Sequence, residues 1–167
     1  ERDLHPHLEK FLNRLGITSS TIFHEVSKKD FNLYWLHPDM VGVHSTAKTT
    51  NTDVNLLWKN LGNSIVDIYS FELKKTLTMS NLRKSFFQAV SNSSWANYGY
   101  LVAQNVDMFD SVLMEEFRRL NQEFRIGLMS IDVFDDLKSR IIVPSIKRDN
   151  VDKNLINIMS QKNSDFL

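Results

Sequence analysis

The sequence contains no cysteine, which excludes a disulfide framework, a thiolate metal site and a thiol nucleophile. No apolar run approaches the length of a membrane span, and no signal peptide is visible. Lysine plus arginine and aspartate plus glutamate number 20 each, so the formal net charge is zero and gives no global attraction to nucleic acid. These absences favour a cytoplasmic protein in which any charged site comes from a local cluster.

The composition fits one globular domain over residues 1–167, because 42% of the residues are apolar and 24% are charged. The first residues, Glu1 to Leu4, lack an initiator Met and run straight into a helical pattern. We therefore expect the chain to be a fragment of a larger protein.

The strongest strand pattern lies at residues 65–75, where aromatic and β-branched residues are concentrated. Because strand side chains alternate between two faces, Phe71 and Leu73 should pack into a core while Glu72 and Lys74 share the other face. Two interpretations are open. The acid and the lysine could form an ion pair at a sheet edge, worth less than about 1 kcal/mol. They could also be half of a metal-dependent phosphodiesterase site.

Helical and strand patterns alternate along the rest of the chain. The predicted helices are 4–15, 53–61, 80–94 with Trp95 on its polar face, 109–124 with Asp107 as its cap, and a last helix through Leu155, Ile158 and Met159. The predicted strands are 21–26, 31–43 with a break at Pro38, 98–103, 128–133 and 141–143. Antiparallel strands followed by strand–helix–strand units predict an α/β protein, a three-layer αβα sandwich with a central mixed sheet.

Asp39 follows Pro38 at the predicted bend and adds a second carboxylate to Glu72 and Lys74. Carboxylate and carbonyl oxygens are the ligands that Mg²⁺ prefers. In phosphodiester hydrolysis such an ion polarises the phosphoryl oxygen, generates the nucleophile and offsets charge on the leaving oxygen. A nearby lysine stabilises developing negative charge or orients water. Without a cation, clustered carboxylates repel, so the pKa of at least one should rise.

Pro38-Asp39 followed by Glu72-Leu73-Lys74 resembles the PD-(D/E)xK signature of the restriction-endonuclease-like nuclease superfamily. The order of predicted elements over residues 1–135 is similar as well. The resemblance implies that Asp39, Glu72 and the carbonyl of Leu73 bind the metal, and that Lys74 assists the nucleophile.

The resemblance, or proximity to the motif in the sequence, also indicates roles for five further residues. Glu9 matches an acid that many members carry on the first helix, although it could equally be a solvated helix flank. Gln88 matches a glutamine that several members carry on the helix after the motif. Lys75, Arg83 and Lys84 lie near the motif in sequence and could contact phosphates.

A narrower resemblance involves the run from Phe86 to Ala96 and the ending from Asn163 to Phe166. Both are similar to the nuclease-like half of bacterial HrgA-type proteins, which join a winged-helix (HARE-HTH) domain to such a domain. This resemblance implies that the larger protein also contains a winged-helix domain.

The resemblance implies a Mg²⁺-dependent DNA endonuclease of bacterial restriction or defence, with Mn²⁺ as an alternative ion. DNA is the implied partner, and a homodimer would supply the two sites that cutting a duplex requires. The alternative is a catalytically silent DNA-binding or regulatory module of the same fold. The complete motif favours the enzyme, whereas the zero net charge argues against strong autonomous DNA binding.

Overall fold

The computed structural model describes residues 1–22, 37–46, 51–60, 65–152 and 154–157. Its helices are α1 (His5–Arg14), α2 (Thr52–Asn60), α3 (Met79–Asn92) and α4 (Ser111–Phe124). Its strands are β1 (Thr18–Thr21), β2 (Met40–Ser45), β3 (Val66–Leu77), β4 (Tyr98–Val106), β5 (Gly127–Ser130) and β6 (Arg140–Val143). Short helical turns at Arg2–Leu4 and Asp136–Lys138 precede α1 and β6.

The six described strands form one sheet in the order β1–β2–β3–β4–β5–β6. Strand β4 pairs in parallel with β3 on one side and with β5 on the other, whereas the remaining neighbours are antiparallel. Helices α3 and α4 make the connections between the parallel strands, which a short hairpin cannot join. The chain is therefore an α/β protein with a mixed sheet, as the sequence predicts.

Helices cover both faces of this sheet. Helix α1 is amphipathic, and its buried residues Leu8 and Leu12 belong to the same core cluster as Phe71 and Leu73 of β3. Helices α3 and α4 pack on the opposite face. That second core cluster includes Leu82, Phe86, Leu101, Ala103, Phe117 and Leu128. The prediction of a mixed sheet flanked by helices on both faces is confirmed.

The strand predicted at residues 65–75 is β3, which lies between β2 and β4. Its side chains alternate as expected. Phe71 and Leu73 are fully buried on the α1 face, whereas Glu72 contacts α3. Only 2% of Glu72 is exposed, and the Lys74 side chain is 16% exposed. The pair is therefore not the ion pair at a sheet edge that one interpretation of the sequence predicted.

Strand β1 lies earlier than the predicted strand at 21–26. It covers Thr18–Thr21 and pairs with β2. The sequence Thr-Ser-Ser-Thr has no apolar alternation, so side-chain periodicity did not indicate this strand. The predicted strand residues 23–26 and 31–36 lie outside the described residues.

Helix α4 is capped by Asp110, not by Asp107 as predicted. The Asp110 carboxylate accepts a hydrogen bond from the Leu113 N–H at 3.0 Å. Asp107 instead accepts from the Phe109 N–H at 2.9 Å and forms a turn before the helix.

Trp95 does not extend a polar face of α3. The helix ends at Asn92, and the chain after it turns the Trp95 ring into the interior, where it is fully buried. There it packs in a cluster with Ile22 and Val41. Burial of so large an apolar ring outweighs continuation of the helical pattern.

The last predicted helix is described only in part. Residues 154–157 are helical, whereas Ile158, Met159 and the resemblance-bearing residues 163–166 lie outside the described residues. In the part of the chain that the structure describes, no helix has the length and apolarity required to cross a membrane.

Candidate functional site

Asp39 lies at the irregular start of β2. Met40 is the register partner of Phe71, yet the Asp39 N–H also donates to the Phe71 carbonyl at 3.1 Å. The hydrogen-bond register between β2 and β3 is therefore shifted by one residue here, as expected beside a proline, which marks a bend or bulge. The sequence prediction of a bend at Pro38 is consistent with this irregularity.

The Asp39 carboxylate binds the backbone of β3. Its Oδ2 accepts from the Leu73 N–H at 2.7 Å. In a strand, the N–H and the C=O of one residue point to the same neighbour. The Leu73 carbonyl therefore leaves β3 on the side of Asp39, where the sequence prediction requires it as a metal ligand.

Glu72 is held by a separate donor on each carboxylate oxygen. Lys74 Nζ lies 2.7 Å from Glu72 Oε1. Asn92, the last residue of α3, donates from Nδ2 to Glu72 Oε2, also at 2.7 Å. The carboxylate is thus fixed between the strand that carries it and the helix that follows.

Burial, and to a smaller extent the negative charge of Asp39, raise the pKa of Glu72 from 4.5 to about 7. The ammonium of Lys74 and the hydrogen bonds from Lys74 and Asn92 act in the opposite direction. The expectation that one clustered carboxyl has a raised pKa is met at Glu72. The two carboxylates are therefore close enough to interact electrostatically.

Lys74 keeps its positive charge at neutral pH. Burial alone would lower the pKa of Lys74, but the attraction of Glu72 outweighs it and the pKa is raised. Glu1 adds to this attraction, with its Oε1 3.8 Å from Lys74 Nζ. Lys74 is therefore suited to stabilising negative charge and not to accepting a proton.

The donor set fits a hard divalent cation. It offers the carboxylates of Asp39 and Glu72 and the carbonyl of Leu73, which are the oxygen ligands that Mg²⁺ prefers. Each carboxylate oxygen of Glu72 has one protein donor and retains a further acceptor position. Within the described ranges, no group of three or more His, Asp or Glu residues gathers to hold a metal. The predicted set, with two carboxylates and a carbonyl, does not require such a group.

Among the described residues, no hydrogen bond or ion pair joins Glu9 to Asp39, Glu72 or Lys74, so its role as a metal ligand stays a prediction. Glu9 is an exposed residue of α1, which packs on the face of the sheet that carries Phe71 and Leu73. Glu72 contacts α3 on the other face. The acid from the N-terminal region that does approach the pair is Glu1.

Gln88 lies one helical turn before Asn92 and is partly exposed. Helix α3 connects two parallel strands, so it runs antiparallel to β3. One helical turn rises about 5.4 Å and two strand residues about 6.6 Å, which places Gln88 at about the level of Lys74. Lys84, one helical turn before Gln88 in the sequence, is exposed. The roles of Gln88 and Lys84 remain predictions that this placement supports.

The other two predicted phosphate contacts, Lys75 and Arg83, form ion pairs with other acids. Lys75 follows Lys74 on the opposite face of β3 and lies 3.5 Å from Asp3. Arg83 pairs with Glu116 of α4 at 3.0 Å. Lys75 therefore lies on the α1 face of the sheet, and Arg83, although it is on the helix that Glu72 contacts, is paired with α4.

Asn92 is not among the site residues predicted from the sequence. It is buried and contacts the predicted metal ligand Glu72 directly. The signal that could have found it is the spacing, because Asn92 follows Gln88 by four residues and so lies on the same helix face.

Comparison with known proteins adds no assignment. A scan against protein-family models found no match for this chain, and searches among curated proteins and solved structures found none either. The resemblance to the PD-(D/E)xK nucleases therefore rests on the residues quoted above alone.

Proposed function

We propose that this domain is a Mg²⁺-dependent DNA endonuclease with a restriction-endonuclease-like fold. The observation that carries the proposal is the convergence of Asp39, the Leu73 backbone and the buried Glu72–Lys74 pair where β2 begins beside β3. Two adjacent acids, one of them buried, gain more from a divalent cation than a solvated pair would, because the cation offsets both charges.

Each residue has a role that its chemistry supports. Asp39 and Glu72 would hold the cation, together with the Leu73 carbonyl. When bound, the ion supplies polarisation of the scissile phosphoryl group and offsets charge on the leaving oxygen. The ammonium of Lys74 stabilises negative charge on the substrate or orients the attacking water, since its raised pKa keeps it protonated.

DNA as the substrate follows from the resemblance, as do the setting in bacterial restriction or defence, the winged-helix partner domain and the homodimer. Lys84 is a predicted phosphate contact. It precedes Gln88 by four residues and so lies on the same side of α3. One such cation contributes only a small share of DNA affinity. We therefore expect DNA binding by this domain alone to be weak and to depend on salt concentration.

A plasmid-nicking assay tests the proposal. Supercoiled DNA should be nicked in Mg²⁺ or Mn²⁺ and remain intact in EDTA. Lys74→Met retains the aliphatic packing but removes the ammonium, and single-turnover cleavage should fall about 10²-fold or more. Its affinity for Mn²⁺ should stay the same or rise, because a competing cation is removed.

Lys75→Met is the matched control, because it removes the neighbouring ammonium from the other face of the same strand. Cleavage in this variant should fall far less. A stable Lys74→Met protein that cleaves like the wild type would refute the mechanism. Wild-type protein that binds DNA and leaves it uncut in both metals would instead support the catalytically silent module.

A further inference from the structure

We propose that Asn92 is a positioning residue, whose side-chain amide fixes the Glu72 carboxylate in the orientation that holds a divalent cation. The inference rests on the proposed function, because it concerns the same site. It adds a residue from α3 to a motif that the sequence confines to two strands.

The contacts of Glu72 constrain its carboxylate in two directions. Asn92 Nδ2 donates to Oε2 and Lys74 Nζ donates to Oε1, each at 2.7 Å. Two donors on different oxygens fix the rotation of the carboxylate plane as well as its position. Hydrogen-bond partners of a metal ligand that orient it in this way typically contribute 10- to 100-fold in metal affinity or activity, as an order of magnitude.

Asn92 is itself held in place. It is 4% exposed, and its backbone carbonyl accepts from Ser70 Oγ at 3.1 Å. Ser70 lies two residues before Glu72 on the same face of β3 and is 2% exposed. The end of α3 is therefore tied to the strand beside the carboxylate that the Asn92 amide contacts, so the amide has little freedom to turn away.

A purely structural role for Asn92 would be to satisfy a buried carboxylate, which would affect stability alone. Asn121 provides the matched control. It is also buried, at 3% exposure, and lies near the end of α4 as Asn92 lies at the end of α3. Its amide donates to the carbonyls of Ile126 and Pro144 at 2.8 and 3.0 Å. Its loss should affect folding and leave Glu72 unchanged.

Isothermal titration with Mn²⁺ on the wild type, Asn92→Ala and Asn121→Ala tests the role, with thermal unfolding measured in parallel. Asn92→Ala should weaken Mn²⁺ binding about 10- to 100-fold. Asn121→Ala should bind Mn²⁺ as the wild type does, even where its melting temperature falls as much. If Asn92→Ala does not fold, Asn92→Leu fills the same volume without a donor and should show the same loss.

A folded Asn92 variant with wild-type Mn²⁺ affinity would overturn this inference and leave the proposed function intact. Equal weakening in Asn121→Ala would also overturn it, because the effect would then follow general stability. A wild type that binds no Mn²⁺ would overturn the proposed function and this inference together.

Discussion

Because Glu72 is buried, we expect the free energy of unfolding to depend on pH in a way that can be measured without substrate. Between pH 4.5 and about 7, the folded protein keeps a proton on Glu72 that the unfolded chain releases. Stability must then fall as the pH rises, since the unfolded state binds fewer protons. The contribution of Glu72 is fully present below pH 4.5 and is lost as the pH rises through about 7. The gap between these values corresponds to about 3 kcal/mol, at about 1.4 kcal/mol per pKa unit.

Glu72→Gln removes this titration and nearly preserves the side-chain volume. Urea unfolding of both proteins in EDTA, from pH 4.5 to 8.5, gives two curves of unfolding free energy. Their difference cancels the other titrating groups that the two proteins share. The wild type should lose about 3 kcal/mol relative to Glu72→Gln across this range. Glu9→Gln, at an exposed position of α1, controls for the loss of one glutamate carboxylate.

Parallel curves for the wild type and Glu72→Gln would refute the reasoning. They would mean that Glu72 ionises in the folded protein as it does in the unfolded chain. The burial of the carboxylate and its repulsion by Asp39 would then have no energetic consequence, and the electrostatic argument for a cation site would fail.

Two further predictions concern neighbouring residues. Asp39→Asn should raise the unfolding free energy above pH 7, because the charge of Asp39 raises the pKa of Glu72. Calorimetry should show that this variant has lost Mg²⁺ binding, and unchanged affinity would remove Asp39 from the ligand set. Arg83→Ala should leave DNA cleavage near the wild-type rate, because the guanidinium pairs with Glu116. A marked loss of DNA affinity in a gel-shift titration would show that Arg83 contacts phosphate after all.

Local pattern was sufficient to predict β3. Its alternation depends on the geometry of a single strand, so the sequence indicates both the buried face with Phe71 and Leu73 and the shared face of Glu72 and Lys74. The same holds for the amphipathic stripe of α1 and for the strand–helix–strand order that makes β4 and β5 parallel. Each of these features is encoded within a few consecutive turns or residues.

The errors at element ends have a different origin. Asp107 and Asp110 are both suitable caps, and the final turn before α4 selects the second. Trp95 matches the helical period of α3 in the sequence, but the helix ends at Asn92 and the Trp95 ring is buried in the core beyond it. Competition between local propensity and tertiary packing decides such positions.

The sequence by itself therefore determined the α/β class, the faces of β3 and the residue types that a metal site would require. Only the tertiary structure decided which of the candidates meet. It placed Asp39 against the Leu73 backbone, turned Lys75 and Arg83 toward Asp3 and Glu116, and left Glu9 on the far face of the sheet. It also added Asn92, 20 residues after Glu72, as a direct partner of that carboxylate. The helical spacing places Asn92 on the same face as Gln88, but which residue of β3 that face contacts depends on the packing of α3 against β3.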